Sequence, residues 1–379
     1  MDAPPPKELT IEEFNDLAIK LLRGLWIAQV RTLVDAAGSK ATIEAMTPYF
    51  TNSAHAGTLV TKRLLGFDKC GAAELAEIWG LQNACMGFDH VIIVHEDGLE
   101  FITESECPLF EAPAEICTIY DIVGGNASLE VLGLDWKMVP TGGYPFGGPF
   151  CKGQIGVCHL KNVYPKSSSA HQGKELFRNK RKDFEDRYSL SLRQSLSIQY
   201  YAEFAVQTTN AALDALGDKA FNEIMCPAIL EHGKDVGRNL LNGQLSACSG
   251  GASLQAIDMV NRALKQTGTF KSHAPNIWGR EICECPFSLS TKEFCMLFQN
   301  FLDGISKAYD PASNFSYARC MTAGASSCFS ELKVSQLGPF KRPSKSYDEH
   351  LTALKMRLAK GEIGEDDYFR LKRLILEDQ

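Results

Sequence analysis

The chain has 379 residues, of which 45% are hydrophobic and 22% are charged, so it can form more than one hydrophobic core. Its net charge of −7 argues against nucleic acid as the main partner, since phosphate binding requires a basic face, and small molecules are the expected ligands or substrates. The sequence begins without a signal-peptide pattern and has no apolar run long enough to cross a membrane, so we expect a cytoplasmic protein without a membrane partner.

The first half of the chain is predicted to be helical at its start and mixed afterwards. Thr10 can cap the first helix, and Pro48 predicts a break between the second and third helices. β-Branched runs on both sides of Glu96-Asp97-Gly98 predict a β-hairpin. The predicted helices cover about 11–37, 40–47, 54–65, 72–86 and 113–127, and the predicted strands cover about 91–94, 99–102, 135–139 and 151–160.

The second half is predicted to follow the same order of helices and strands. A charged, serine-rich linker precedes it, with helical pieces expected at about 174–188. The predicted helices cover about 195–216, 219–226, 228–241, 253–267 and 291–309, and the predicted strands cover about 315–321 and 328–334.

The two halves also match residue by residue at a slowly changing offset. Residues of the segment 35–48 recur 179 positions later, and cysteines recur at offsets of 178 and 177. The matched cysteines are Cys107 with Cys285, Cys117 with Cys295, and Cys151 with Cys328. We therefore predict an α+β fold with two homologous repeats, each a helical layer packed on a small antiparallel sheet.

The pattern divides the chain into six predicted segments. They are an N-terminal arm (1–12), a first repeat (13–160), a linker (161–193), a second repeat (194–335), a second linker (336–348) and a C-terminal helical hairpin (349–379). A hairpin of this length cannot bury a stable core alone, so we expect it to pack on the body or on another copy of the chain.

The thirteen cysteines are the main candidates for chemistry. Three roles remain open: buried structural thiols, a metal centre holding zinc or an iron–sulfur cluster, and a nucleophile. The spacings of ten and about thirty-three residues are unlike those of zinc knuckles, which favours buried thiols. The candidate metal ligands are Cys107, Cys117, Cys151, Cys283, Cys285, Cys295 and Cys328.

One carboxylate joins the candidate site. Asp121 lies four residues after Cys117, so the two share one face of a predicted helix, and the carboxylate can act as a base or a ligand. Gln299 occupies the position of the second half that matches Asp121. The second half also has two thiols without a counterpart in the first half, Cys283 and Cys320. These extra thiols favour the second half as the active one.

The segments 107–157 and 285–334 resemble the L-2-amino-thiazoline-4-carboxylic acid hydrolase-like family, which is related to the 4-vinyl reductase domain. The closing element from Thr322 to Phe329 carries the best match, with Gly324 and Cys328 at the family's positions. The resemblance implies a hydrolase of a small heterocyclic or amide C–N bond. The implied catalytic group is Cys285, Cys295, Cys328 and Asp121. A non-catalytic sensor of a small ligand or metal, assembled through its tail, is the alternative.

The tail resembles the short C-terminal (SHOCT) domain of many bacterial and archaeal proteins. The motif from Lys360 to Tyr368 carries this resemblance, with Gly364 in place of the usual Ser or Thr. It implies a prokaryotic source and a homo-oligomer formed through residues 349–379.

Overall fold

The computed structural model describes residues 9–103, 107–109, 112–142, 152–157, 174–241, 251–266, 268–288 and 290–334, without the side chains of 140–142, 152–157 and 240–241. The predictions for Cys151, the second linker (336–348) and the helical hairpin (349–379) lie outside the described residues, as do most of the predicted arm (1–12) and part of the first linker (161–193).

Three long helices open the chain. They are α1 (Ile11–Ala37), α2 (Ser39–Leu64) and α3 (Ala72–Met86). Thr10 and Glu13 form a capping box at the start of α1, as the sequence predicts for Thr10. The predicted break at Pro48 is wrong, because α2 continues through this proline. Met46 and Phe50 on either side are buried in the core, and this packing offsets the backbone hydrogen bond that proline removes.

The first sheet is antiparallel and has five strands. They are β1 (His90–His95), β2 (Gly98–Thr103), β3 (Trp136–Gly142), β4 (Lys152–Val157) and β5 (Glu175–Lys180), in the order β3-β4-β2-β1-β5. The predicted hairpin is confirmed, with His95 paired to Gly98 at its turn. Strand β5 falls where a helical piece was predicted. It is an exposed edge strand with little apolar patterning, and its pairing with β1 determines its structure.

A broken helix follows the hairpin. It consists of α4 (Ala114–Cys117), a π-helical segment (Thr118–Gly124) and α5 (Gly125–Val131). The short helix α6 (Arg181–Arg187) then leads from β5 into the second half.

The second half is built from helices and a smaller antiparallel sheet. Its helical part consists of α7 (Leu190–Ala220), a π-helical segment (Phe221–Met225), α8 (Cys226–Val236), a π-helical segment (Gly237–Leu241), α9 (Ala252–Ala263) and α10 (Lys292–Tyr309). Its strands are β6 (Lys271–Ala274), β7 (Ile277–Ile282), β8 (Asn314–Arg319) and β9 (Cys328–Lys333), in the order β6-β7-β9-β8. Gly217 interrupts α7 with a positive φ of 73°, close to the helix end predicted at 216.

The β6–β7 hairpin was not expected from the sequence. Strand β6 is largely exposed, so it lacks the alternation of buried and exposed residues that signals a strand. The turn at Pro275-Asn276, where Asn276 has a φ of 64°, is the signal that the sequence analysis missed.

One large hydrophobic cluster joins the two halves. Helices α1 and α7 pack along each other, and Trp26 of α1 lies 4.8 Å from Phe204 and 6.1 Å from Tyr201 between ring centroids. The fold is thus α+β with antiparallel sheets, and its core lies between helices that are distant in the sequence. Within the described residues, no helix has both the length and the hydrophobicity needed to span a membrane.

Candidate functional site

A cavity of about 220 Å³ lies in the first half of the fold. Helices α2 and α3, the β1–β2 hairpin, the π-helical segment Thr118–Gly124 and helix α7 contribute to its wall. Its lining is mostly apolar and rich in rings, and we call it the aromatic cavity. The ring-bearing residues that line it are Phe50, Trp79, Phe88, His90, Phe101, Tyr120, Tyr200 and Phe204.

Small residues keep this space open on the α2 side. A Cβ added to Gly57 would lie 3.8 Å from Tyr200, and one added to Gly124 would lie 3.9 Å from Ala54, which are ordinary contacts. Thr58 donates to Ser128 Oγ at 2.8 Å and ties α2 to α5. The segment Thr118–Gly124 in this wall is π-helical, and because a π-helical turn is wider than an α-helical one, it changes the helix surface that faces α2. Such turns often occur at functional sites.

Helices α8 and α10 of the second half are packed much more closely. A Cβ added to Gly233 of α8 would lie 2.2 Å from the carbonyl oxygen of Phe301, and one added to Gly304 of α10 would lie 2.0 Å from that of Leu230. Glycine at both positions therefore lets the two backbones touch, which leaves no space for a ligand between these helices.

His90, a residue of the cavity lining, has an unused hydrogen-bond acceptor. Its Nδ1 lies 3.0 Å from the carbonyl oxygen of Phe88, and because a carbonyl only accepts, Nδ1 carries the proton. Burial lowers the pKa of His90, so the ring is neutral near pH 7 and its Nε2 is an acceptor. This Nε2 is buried and has no hydrogen-bond partner among the described residues.

Trp79 presents the complementary donor. Its ring lines the aromatic cavity, and its Nε1–H is buried with no hydrogen-bond partner in the part of the chain that the structure describes. Buried polar groups normally find a partner, and leaving one without costs about 1–3 kcal/mol. Trp79 and His90 thus both line the aromatic cavity, and each keeps one buried polar nitrogen without a partner among the described residues.

Three of the residues nominated from the sequence also line the aromatic cavity. Cys107, Cys117 and Asp121 contribute to its wall, with Cys117 ending α4 and Asp121 inside the π-helical segment. The Cys107 sulfur accepts a hydrogen bond from the backbone N–H of Leu109 at 3.3 Å. The structure thus brings together the two cysteines and the carboxylate of the first half.

The nominated cysteines of the second half form a separate group away from this cavity. The described contacts join Cys285, Cys295, Cys320 and Cys328, which we call the thiol cluster. Cys320 and Cys328 have sulfurs 3.8 Å apart, and Thr322 Oγ1 lies 3.2 Å from the sulfurs of both Cys295 and Cys320. Cys283 is exposed, so it differs in environment from the cluster.

Burial keeps most of the thiol cluster protonated. It raises the pKa of Cys285 and raises that of Cys328 to about 11. The pKa of Cys295 is also raised, first because its thiol donates a hydrogen bond to Cys320 and then by burial. The same hydrogen bond lowers the pKa of Cys320, and Thr322 reinforces the effect through its side chain and backbone. Cys320 is therefore the member of the cluster whose surroundings favour the thiolate, the form in which a cysteine is a good nucleophile or metal ligand.

Within the described residues, no group of three or more His, Cys, Asp or Glu side chains is arranged to hold a metal ion.

Nothing in the sequence indicated the roles of His90 and Trp79 or the environment of Cys320. Their roles depend on burial and on contacts between distant elements, and no local pattern marks them.

No protein-family model matches the chain, and no curated protein or solved structure is significantly similar to it. The resemblances to the hydrolase-like family, to the 4-vinyl reductase domain and to the short C-terminal domain therefore stay predictions.

Proposed function

We propose that the protein binds a small, planar, largely apolar molecule in the aromatic cavity and recognises it by one hydrogen-bond donor and one acceptor. The observation that carries the proposal is that two lining residues, Trp79 and His90, each keep a buried polar nitrogen, Nε1–H and Nε2, without a partner among the described residues. A ligand with an acceptor for Trp79 and an N–H or O–H for His90 satisfies both.

The size and surface of the cavity support a compact ring compound. Pockets for drug-sized ligands measure about 300–1,000 Å³, and the volume of 220 Å³ is below that range. Aromatic side chains such as Phe50 and Phe204 favour stacking with a flat molecule. Amides and nitrogen heterocycles with one aromatic or unsaturated ring combine the required shape with the required polar pair.

Hydrolysis of a C–N bond in such a ligand is the second candidate function. Cys117 and Asp121 support it, because a thiol and a carboxylate line the same cavity as the neutral base His90. In this reaction the Cys117 thiol gives its proton to a base, and its sulfur attacks the carbon. The C–N bond then breaks, the leaving nitrogen takes a proton, and water releases the acyl group. The predicted catalytic cysteines Cys285, Cys295 and Cys328 are less suited, since burial keeps them protonated.

We further infer that the two halves arose by duplication and that only the first retained an open cavity. The match at an offset of 179 positions supports the duplication. The close contact of Gly233 and Gly304 supports the loss of a cavity between α8 and α10. Assembly of a homo-oligomer through residues 349–379 stays a prediction from the sequence.

Benzamide tests the binding proposal, because it carries a flat ring, a carbonyl acceptor and an N–H donor. We expect isothermal titration to detect binding, and Trp79→Phe to weaken it about tenfold, since the variant loses one hydrogen bond and keeps a ring. Trp136→Phe is the matched control, because Trp136 lies in β3 and not in the cavity lining. Equal affinity in wild type and Trp79→Phe contradicts the proposed recognition, and acetophenone, which lacks the N–H, should bind more weakly than benzamide.

Release of ammonia from benzamide separates the two candidate functions. Ammonia released by wild type but not by Cys117→Ser supports the hydrolase. The control variant is Cys85→Ser, because Cys85 is a buried thiol of α3 outside the lining. Binding without any ammonia release leaves only the binding function.

A further inference from the structure

Two cysteines face each other across the β8–β9 hairpin. Cys320 directly follows β8, and Cys328 is the first residue of β9. The last backbone pair between these strands is Arg319 with Phe329, so the two cysteines come next across the hairpin. Their sulfurs are 3.8 Å apart, and both are reduced thiols in the structure.

We propose that Cys320 is a peroxide-reactive thiol and that Cys328 converts its oxidised form into an intramolecular disulfide. This modification site is distinct from the aromatic cavity and does not depend on the function proposed for it.

The surroundings of Cys320 favour its thiolate. The Cys295 thiol and the backbone N–H of Thr322 donate to the Cys320 sulfur, and Cys328 Sγ donates to it at 3.8 Å. These hydrogen bonds lower the pKa of Cys320, although burial acts in the opposite direction. A thiolate that is partly accessible to solvent is the form and location that peroxides oxidise. Cys320 is half-buried, so a small hydroperoxide can approach it.

The two residues lie one position beyond the last strand pair, Arg319 with Phe329, and their sulfurs are 3.8 Å apart, which suits a disulfide between them. Residues opposite each other in antiparallel strands have Cα atoms about 4.5–5.5 Å apart, and disulfides form at about 4.4–6.8 Å. The Cys328 sulfur is held toward this position by the backbone N–H of Met321, at 3.1 Å. Rotation of the two side chains can then bring the sulfurs into bonding distance, while the strands stay paired.

The oxidation proceeds in two balanced steps. First, the Cys320 thiolate attacks one oxygen of a hydroperoxide, an S–O bond forms, the O–O bond breaks, and the alkoxide takes a proton from water to leave as an alcohol. Second, Cys328 loses its proton and attacks the Cys320 sulfur, an S–S bond forms, the S–O bond breaks, and hydroxide leaves with that proton as water. The two thiols supply the two electrons that reduce the peroxide.

Cys295 is the competing partner for the second step. Its thiol also contacts Cys320, but it lies on α10, whereas Cys328 follows Cys320 across the same hairpin. A disulfide within the hairpin joins two residues that the strand pairing already holds close together, which favours Cys328.

Stoichiometric hydrogen peroxide, applied to the reduced full-length protein, tests the proposal. We expect a loss of two hydrogen atoms in the intact mass and a Cys320–Cys328 disulfide by peptide mapping under non-reducing conditions. In Cys328→Ser, dimedone should trap a sulfenic acid on Cys320. Alkylation by iodoacetamide at pH 6 should modify Cys320 at least about tenfold faster than Cys283, although Cys283 is exposed.

The controls separate reactivity from damage to the fold. Cys283→Ser should form the disulfide as wild type does, and Cys320→Ser should abolish it while keeping the wild-type midpoint of urea unfolding. Slower alkylation of Cys320 than of Cys283 overturns the proposed reactivity. A Cys295–Cys320 disulfide as the main product overturns the assignment of Cys328. If Cys320→Ser lowers the unfolding midpoint, the alkylation rates in wild type decide the question, since they require no variant.

Discussion

The side-chain amide of Asn15 donates a hydrogen bond to Gln194 Oε1 at 3.0 Å, and both residues are buried. The two positions are 179 residues apart, which is the offset at which residues of the first half recur in the second. Further along the same helices, Gln29 donates to Thr209 Oγ1 at 2.9 Å. Because both bonds advance together along α1 and α7, the two helices run side by side in the same direction.

This amide pair should contribute measurably to stability. Asn15→Ala leaves Gln194 Oε1 buried without that donor, so we expect a loss of about 1–3 kcal/mol in the free energy of unfolding. Gln194→Ala should cost at least as much, because Gln194 also donates to Asp16 Oδ1 at 2.9 Å. Urea unfolding of the single and double variants measures both effects. A double variant whose loss equals the sum of the single losses would show that the two side chains do not interact.

The close contact between α8 and α10, compared with the looser packing around Gly57 of α2, gives a second prediction. Gly233→Ala places a methyl group 2.2 Å from a backbone carbonyl on α10, so we expect a loss of about 2–3 kcal/mol or a shift of α8 away from α10. Gly57→Ala is the matched control in α2, where the new methyl meets only Tyr200 at 3.8 Å. There alanine should be neutral or should stabilise the helix by about 0.5–1 kcal/mol. Similar losses in both variants would contradict the account of why one helix pair is closed.

The sequence predicts those elements whose signals are local. Helix α10 was expected at about 291–309, and the structure shows a local start signal, because Thr291 caps it and accepts from the N–H of Phe294 at 3.3 Å. The β1–β2 hairpin was expected because a turn separates two apolar strands. Strand β6 was not expected, since it is exposed and held by pairing with β7.

The site is harder to predict than the fold, because its parts come from distant segments. Cys117 and Asp121 were nominated from their spacing, and both line the aromatic cavity. Tyr200 lies on α7, and nothing in the sequence of α2 indicates that α7 forms the opposite wall of the cavity. The unsatisfied nitrogens of His90 and Trp79 are a property of the packed structure, which no sequence pattern records.

The buried histidine of the second half makes stability depend on pH. Burial lowers the pKa of His232 from 6.5 to about 4, with a smaller contribution from Arg31. Between these two values the unfolded chain binds a proton that the folded chain does not, so stability rises with pH from about 4 to 6.5. His232 should therefore account for a loss on the order of 3 kcal/mol as the pH falls across this window.

Urea unfolding at several pH values measures this effect. His232→Gln should flatten the pH dependence below pH 6.5, although its stability at pH 7 falls because the ring stacks on Phe301. His273→Gln is the control variant, since it replaces a histidine that is exposed in β6. An unchanged slope in His232→Gln would contradict the assignment. His90 should leave a residual slope of the same sign, because burial also lowers its pKa.

A buried arginine in β7 should be among the most sensitive positions of the second sheet. The Arg280 side chain is 1% exposed, and its guanidinium donates to Asp258 Oδ1 at 3.2 Å and to the carbonyl oxygen of Gln266 at 2.5 Å. Burial lowers its pKa, but the ordinary value is high enough that the group stays charged. Arg280→Met removes these bonds and leaves the Gln266 carbonyl without this donor, so we expect a loss of about 2–3 kcal/mol, while Asp258, which is 37% exposed, stays hydrated.

Arg319 provides the matched control on the same sheet. It pairs with Glu281 at 2.9 Å, but its side chain is 48% exposed, so Arg319→Met should cost about 1 kcal/mol or less. Salt should separate the two positions as well, since it screens exposed charges much more than buried ones. Raising the salt concentration should shrink the effect of Arg319→Met and leave that of Arg280→Met nearly unchanged. Equal losses in the two variants would show that burial does not determine the contribution of these arginines, because both carry the same charge and both pair with a carboxylate.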